Sequence, residues 1–260
     1  MNALARGPLA GKGIVVTRPA QQSGRLTAAL SAAGARAIVF PTIDILAPAD
    51  APALDAVIDR LDQFEFAVFV SPNAAREAMK AIVARRAWPA AVKAATIGRG
   101  GERELARHGI VGVIAPERFD SEALLAMPAM QAVAGRRVVI FRGDGGRELL
   151  GETLRARGAV VEYAACYRRA LPQVDAAALL AAWAGGKIDA VTVTSSEGLR
   201  NLCTLIGAAG RDYLKQTPVF VPHPRIEGAA RDAGLAVVKL TAQGDDGLLA
   251  GLLEWFGAGN

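Results

Sequence analysis

The chain has 260 residues, of which 52% are hydrophobic and 21% charged, with a formal net charge of +5 at pH 7. These proportions are typical of a folded globular protein, either one large domain or two smaller ones, and they exclude a disordered chain. Charged residues or glycine interrupt every apolar stretch, so we expect no membrane span.

The basic charge favours anionic partners. Nucleic acid is disfavoured, because the basic residues are scattered in pairs such as Arg85-Arg86 and only 5% of residues are aromatic. The start of the chain lacks the apolar core of a secretory signal, and Cys166 and Cys203 are too few for a disulfide framework. We therefore expect a cytoplasmic protein with two reduced, buried thiols and an acidic small molecule as partner.

In chain order, the predicted elements repeat after 124 to 125 residues. Gly13–Arg18 predicts a buried strand that ends in a polar turn before a helix, and Arg137–Arg142 begins the same pattern. Phe66–Asn73 predicts a second strand and turn, with its counterpart at Ala190–Glu197. Such units predict parallel sheets covered by helices on both faces, and hence two similar doubly wound α/β domains.

Two segments interrupt the alternation of strands and helices, Pro41–Asp50 and Val161–Pro172. Each has alternating apolar residues that suit an extended strand, and each has proline near its end, as connectors between domains often do. We expect them to form a two-stranded hinge. One continuous sheet of nine or ten strands is the alternative.

Polar turns follow the predicted strands, where open parallel sheets bind their ligands. Gly, Ser or Thr before a helix leaves first-turn amides exposed, and these amides can hold carboxylates or phosphates. Helix capping alone is the alternative role for Ser71, Ser195 and Ser196, and the two roles are compatible. The turns are Thr17–Pro19, Ser71–Asn73, Gly98–Gly101, Arg142–Arg147, Thr194–Ser196 and His223–Arg225.

Other chemistries fit these turns poorly. The glycine-rich turns match neither a dinucleotide fingerprint nor a P-loop, and two histidines are too few for a metal site or a catalytic triad. No paired carboxylates follow the strands, which disfavours hydrolysis. Arg142 and Arg147 could bind carboxylates in bidentate fashion. The alternative is that Arg147 only forms an ion pair with Asp144 on the surface.

Seven strings occur in a fixed order along the chain. They are VVTRP at 15–19, FVSPN at 69–73, the turn at Gly98, RGDGGRELL at 142–150, LRARG at 154–158, Tyr167 and VTSS at 193–196. Together they resemble uroporphyrinogen-III synthases over nearly the whole chain. The chain departs from the family at Gly101-Glu102, where a Thr-Ala pair is usual, and at Pro222–Arg225.

The resemblance implies two flavodoxin-like domains joined by a two-stranded β hinge. One domain would comprise 1–38 plus 172–260 and the other 45–162, with the hinge at 39–44 and 163–171. It also implies a monomeric, cytoplasmic lyase of heme biosynthesis without a cofactor. This enzyme would close hydroxymethylbilane to uroporphyrinogen III, with inversion of ring D, in the cleft between the domains. The upstream bilane-forming enzyme is a candidate partner.

Tyr167 occupies the position of the family's tyrosine, and its phenol would assist departure of the hydroxyl group or only pack at the hinge. The main task of such an enzyme is to hold the two ends of the bilane in the geometry for closure. A non-catalytic, hinge-bending binding module for a small acidic ligand is the alternative function. No metal ligands are expected, and the expected substrate-binding residues are Arg18, Ser71, Asn73, Gly98, Arg142, Gly143, Ser195, Ser196 and His223.

Overall fold

The computed structural model describes residues 7–118 and 120–257, which contain ten strands, twelve α-helices and the short 3-10 helix Leu61–Gln63. The elements in chain order are β1 Gly13–Val16, α1 Ala20–Ala32, β2 Arg36–Val39, β3 Asp44–Leu46, α2 Ala51–Asp59, β4 Phe66–Phe69, α3 Pro72–Arg85, β5 Lys93–Thr96, α4 Arg99–Ala106, α5 Ser121–Ala126, α6 Pro128–Gln131, β6 Arg137–Gly143, α7 Leu149–Ala156, β7 Val160–Ala170, α8 Ala177–Ala184, β8 Ala190–Thr192, α9 Ser196–Leu205, α10 Gly207–Gln216, β9 Val219–Val221, α11 Pro224–Asp232, β10 Val238–Leu240 and α12 Gly244–Gly257.

The chain divides into two compact units. The first unit comprises Met1–Asp44 with Ala170–Asn260, and the second comprises Ile45–Arg169. The outermost residues of the first, 1–6 and 258–260, lie outside the described residues. The strands form two five-stranded sheets, so the prediction of two doubly wound α/β sheets is confirmed and the alternative of one continuous sheet is wrong.

The strand order of the first sheet is β2-β1-β8-β9-β10, the flavodoxin-like order 2-1-3-4-5 when its strands are numbered along the chain. In the second sheet the order is β3-β7-β6-β4-β5, and beyond β5 a parallel bridge joins Ala95 to Ile114. From β7 to this bridge the second sheet repeats the order of the first. β3 is an added edge strand beside β7.

The repeat extends to residue pairing. Ile14 of β1 pairs in parallel with Ala190 of β8, and Val138 of β6 pairs in parallel with Phe66 of β4. Ile14 and Val138 are 124 residues apart, and so are Phe66 and Ala190. Each sheet thus combines the opening strand–helix unit of one half of the sequence with later strands of the other half.

Each face of the second sheet packs against helices, which is why the central strand β4 is apolar and buried throughout. On one face, Phe69 and Phe141 stack with ring centroids 5.1 Å apart and pack with residues of α2, α3 and α4. On the other face, Val68 and Ile140 pack with residues of α5, α6 and α7. Successive side chains of a strand point to opposite faces, so Arg142 of β6 points away from Phe141.

Candidate active site

Three buried threonines tie together the carboxyl ends of the central strands in the first unit. Thr17 donates from Oγ1 to the carbonyl oxygen of Thr192 at 2.8 Å, and Thr192 donates from Oγ1 to that of Val15 at 3.0 Å. Thr42 donates from Oγ1 to the carbonyl oxygen of Thr17 at 3.0 Å. These bonds hold the loops that carry the candidate residues. The sequence analysis missed Thr42 and Thr192, although a threonine at or just after the end of a buried strand was the available signal.

Two adjacent serines begin α9 and differ in their contacts. The Ser195 hydroxyl accepts the backbone N–H of Gly198 at 2.9 Å, which caps the helix. The Ser196 hydroxyl is buried and has no hydrogen-bond partner among the described residues. A buried hydroxyl without a partner costs free energy, so a ligand that hydrogen-bonds to Ser196 would recover that cost.

Arg18 and His223 are already engaged in the first unit. The guanidinium of Arg18 forms a partly buried ion pair with Asp245 in the first turn of α12. His223 caps α11, where its Nδ1 accepts the N–H of Arg225 at 3.1 Å, and its side chain is exposed. Arg18 would therefore have to exchange its partner in order to bind a ligand carboxylate.

Tyr167 is the centre of a cluster in the second unit. Its side chain is 5% exposed, and its hydroxyl lies 3.4 Å from Oγ of Ser71. Ser71 also caps α3, accepting the N–H of Ala74 at 3.0 Å. Burial raises the pKa of Tyr167, so its phenol remains protonated at neutral pH.

A β-bulge places Tyr167 against Gly143. Arg142 pairs with Ala165, but the next residue, Gly143, pairs with Tyr167, so that Cys166 is the extra residue. A Cβ atom on Gly143 would lie 2.9 Å from Cζ of Tyr167. Glycine at 143 therefore makes room for the ring. The sequence offered no signal for the bulge.

The turn at Gly98 packs beside the turn at Ser71. A Cβ on Gly100 would lie 2.7 Å from Cγ of Pro72, and one on Gly101 would lie 2.1 Å from Oγ1 of the buried Thr96. Thr96 thus requires glycine at 101, which explains locally why this chain departs from the family's pattern there. Gly98 itself stands at the N-cap of α4.

Asn73 lies in the first turn of α3, between Ser71 and the basic side chain of Arg76. Its Oδ1 accepts a hydrogen bond from Nη2 of Arg76 at 2.6 Å. The amide is therefore held in place by its own helix, next to the Tyr167 cluster.

Arg142 does not join this cluster. It lies on the opposite face of the sheet, 7% exposed, where Nη1 donates to Oε1 of Glu148 at 2.8 Å and the guanidinium lies 4.6 Å from the ring centroid of Tyr163. The structure therefore divides the predicted site of the second unit between two faces. Sequence analysis missed Glu148 and Tyr163, and the period-2 alternation along β6 was the signal that could have separated Arg142 from Tyr167.

Arg147 pairs with an acid of α5 rather than with Asp144. Nη1 of Arg147 lies 3.7 Å from Oε1 of Glu122, and Oδ1 of Asp144 accepts the backbone N–H of Arg169 at 3.3 Å. The pairing of Arg147 with Asp144 is wrong because the turn directs the arginine toward α5 instead.

The described residues offer no grouped metal ligands and no membrane-spanning helix, and only one of the two expected buried thiols is buried. Within 7–118 and 120–257, no three His, Cys, Asp or Glu side chains are grouped as they would be around a metal ion. The cysteine thiols are free, with Cys166 buried and Cys203 only half-buried. No described helix is both long and apolar enough to cross a membrane.

Two repeated sheets, with polar residues after their strands, define a duplicated, doubly wound α/β protein. The family model described as uroporphyrinogen-III synthase HemD matches residues 24–248. The chain is 35% identical over 246 residues to the uroporphyrinogen-III synthase of Salmonella typhimurium, covering 93% of this chain and 99% of that protein. The Escherichia coli enzyme is 34% identical with the same coverage. The chain belongs to the uroporphyrinogen-III synthase family.

Solved structures agree with this fold. A mutant uroporphyrinogen III synthase from Thermus thermophilus matches with a TM-score of 0.61 at 18% identity, covering 95% of this chain and 98% of that one. The Helicobacter pylori uroporphyrinogen-III synthetase matches with a TM-score of 0.59 at 12% identity, covering 94% and 99%. As a member of this family, the chain is an enzyme, a cyclising lyase of heme biosynthesis that acts on a small molecule.

Proposed function

We propose that the chain catalyses the dehydrating ring closure of hydroxymethylbilane to uroporphyrinogen III, with inversion of ring D. The observation that carries this assignment, beyond family membership, is the buried, protonated Tyr167 beside Ser71 at the carboxyl ends of β4 and β7. A donor in that place can assist a leaving hydroxyl group.

The substrate is a linear polycarboxylate, and the loops after the strands of each unit suit it. Ser71, Ser195 and Gly98 stand at helix N-termini, where backbone N–H groups and the helix dipole favour negative charge. The unused hydroxyl of Ser196 adds a further donor. We assign the binding of the substrate's carboxylates to Arg18, Ser71, Asn73, Gly98, Arg142, Gly143, Ser195, Ser196 and His223.

Tyr167 acts on the step that loses water. The C–O bond of the bilane's hydroxymethyl group breaks while the phenol donates a hydrogen bond to the departing oxygen. The lone pair of the pyrrole nitrogen forms the new double bond, and the pyrrole N–H proton leaves with the hydroxide as water, which gives the electrophilic azafulvene. The substituted carbon of ring D then attacks this electrophile, and the spiro intermediate rearranges to the inverted ring. Loss of water is intrinsically easy, so most of the rate comes from holding the two ends of the bilane together.

The proposal also covers the domain boundaries, the cellular location and the oligomeric state of the protein. We assign 1–38 with 172–260 to one domain, 45–162 to the other, and 39–44 with 163–171 to a hinge ladder. The enzyme is proposed to be a cytoplasmic monomer that receives its substrate from the bilane-forming enzyme.

Isomer analysis of the product tests the function. Hydroxymethylbilane incubated with the purified protein should give the type III ring, whereas spontaneous closure gives the type I ring. A non-catalytic binding module would bind the bilane and leave the type I ring as the product. Formation of the type I ring at the spontaneous rate would overturn the proposal.

A further inference from the structure

A pocket of about 160 Å³ lies within the second unit, on the face of the sheet opposite Tyr167. Arg142 is one of its lining residues and is more than nine-tenths buried, yet its Nη2 has no hydrogen-bond partner among the described residues. Buried N–H groups nearly always donate a hydrogen bond, so this one is able to bind an acceptor supplied by a ligand. The pocket is lined by Val70, Ile97, Ser121, Ile140, Arg142, Gly145, Gly146, Arg147, Leu150 and Tyr163.

The internal repeat allows the partners of Arg142 to be compared with those of its equivalent in the first unit, Arg18. Arg18 and Arg142 are 124 residues apart and equivalent in the repeat, Arg18 just after β1 and Arg142 at the carboxyl end of β6. Arg18 is neutralised by Asp245 in the first turn of α12. The first residue of α5, the helix in the equivalent place, is Ser121, which lines the pocket without supplying a charge.

The two acids that flank Ser121 have other partners. Oε1 of Glu122 lies 3.7 Å from Nη1 of Arg147, and α5 is capped by Asp120, which the repeat pairs with Asp245 at a spacing of 125 residues. Oδ1 of Asp120 accepts the N–H of Ala123 at 2.6 Å and its Oδ2 accepts Nε of Arg118 at 2.9 Å. Among the described residues, α5 therefore supplies no partner for Arg142 as α12 does for Arg18, and the exposed Glu148 takes that place. A ligand carboxylate is its chemical equivalent.

We propose that the pocket between Arg142, Arg147 and Ser121 binds one short carboxylate side arm of the substrate. In the free enzyme Glu148 forms the ion pair with Arg142, and the substrate's carboxylate replaces it. This inference rests on the proposed function, because it assigns one side arm of that substrate to a place. The subsite adds four residues to those that affect binding of the bilane: Arg147, Ser121, Tyr163 and Glu148.

The size of the pocket selects the group it can hold. A cavity of about 150 Å³ holds one benzene-sized molecule, so about 160 Å³ accommodates an acetate or propionate arm but not a whole substituted pyrrole chain. The apolar walls formed by Val70, Ile140 and Leu150 suit the methylene groups of such an arm. The polar end would meet Arg142 and Arg147.

Glu148 has the properties of an exchangeable partner. It is exposed, whereas Arg142 is buried, so only the carboxylate can leave at little cost. The neighbouring Tyr163 hydroxyl and Arg142 guanidinium lower the pKa of Glu148, which is therefore ionised at neutral pH. Its negative charge competes with any incoming carboxylate for the same guanidinium.

Access to Nη2 depends on the glycine turn. A Cβ on Gly146 would lie 3.1 Å from Nη2 of Arg142, so the backbone of this residue covers the nitrogen. Gly145 and Gly146 have φ values of 143° and 139°, which side-chain-bearing residues rarely adopt. A small shift of these two residues would expose Nη2 to the pocket.

The first test is kinetic. In Glu148→Gln the competing charge is lost, and we expect KM for the bilane to fall about 3- to 10-fold with kcat unchanged. Ser121→Asp places a carboxylate in the pocket, so KM should rise by about the same factor. Asp59→Asn, which removes an exposed carboxylate that pairs with Arg85, is the matched control and should behave as wild type.

The second test needs no turnover. Propionate titrated into ¹⁵N-labelled protein should shift the Nε–Hε resonance of Arg142 with saturation in the millimolar range, more tightly in Glu148→Gln and not at all in Ser121→Asp. Equal KM values and no saturable shift in all variants, with the wild type still forming the type III ring, would overturn the subsite alone. Formation of only the type I ring by the wild type would overturn the proposed function, and the titration would still decide the subsite.

Discussion

The Tyr167 hydroxyl lies 3.4 Å from Oγ of Ser71, longer than a good O–H···O hydrogen bond. Ser71 is meanwhile occupied by the N–H of Ala74 at 3.0 Å. Ser71 thus holds the Tyr167 hydroxyl in place by a long contact in which either oxygen can donate, and the tyrosine proton remains available to a ligand.

Replacement of Tyr167 by Phe removes this donor and keeps the ring. We expect kcat to fall about tenfold, below the factor of about 10²–10⁴ typical of proton transfer, because the leaving hydroxyl needs little assistance. The type III ring should remain the product, since geometry rather than acid strength selects the isomer. Steady-state rates and isomer analysis measure both effects. Tyr213→Phe, at a 40% exposed tyrosine of α10, is the control, and wild-type activity in Tyr167→Phe would remove the donor role.

The adjacent serines of α9 should respond in opposite ways to alanine. Ser195→Ala removes the cap on Gly198 and should lower the free energy of unfolding by about 1 kcal/mol. Ser196→Ala removes a buried hydroxyl without a partner among the described residues, so stability should be equal or higher, while KM for the bilane rises. Denaturant unfolding and kinetics on both variants separate the two roles. Unchanged KM in Ser196→Ala would leave that hydroxyl without a function in binding.

The architecture was predictable because strand periodicity and the 124-residue repeat are properties of the sequence alone. The repeat predicted the equivalence of Arg18 and Arg142, and the pairings of Ile14 with Ala190 and of Val138 with Phe66 confirm the repeat. The repeat could not show that the opening unit of each half joins strands of the other half, since sequence similarity carries no information on which strands pair. The resemblance to the family supplied that step.

The division of the second unit's site was less predictable. Sequence proximity suggested that Arg142 and Gly143 act together, but the β-bulge brings Gly143 to Tyr167 while strand alternation sends Arg142 to the other face. A bulge depends on tertiary packing and leaves no residue pattern of its own. Contacts between residues far apart in the sequence, such as Ser71 with Tyr167, likewise cannot be predicted from the sequence pattern alone.

Two glycine-to-alanine variants should change stability in opposite directions. In Gly143→Ala the added Cβ would lie 2.9 Å from Cζ of the buried Tyr167, and overpacking of this kind costs about 1–3 kcal/mol. In Gly228→Ala, within exposed α11, nothing lies within 4 Å of the added Cβ, so stability should rise by about 0.5–1 kcal/mol. Unfolding in denaturant measures both. Gly143→Ala should also lose activity, because the displaced ring moves its hydroxyl away from Ser71.

The two thiols should differ in reactivity toward iodoacetamide. Burial raises the pKa of Cys166 to about 12, so only about 10⁻⁴ of it is thiolate at pH 8, and the thiolate is the nucleophile. Cys203 is only half-buried, and although this partial burial also raises its pKa, the thiol is accessible to the reagent. In the native protein Cys203 should be alkylated first, and Cys166 should react only after unfolding in guanidinium. Mass spectrometry of the Cys203→Ser variant isolates Cys166, and its rapid labelling in the folded protein would mean that the bulge beside Gly143 opens readily.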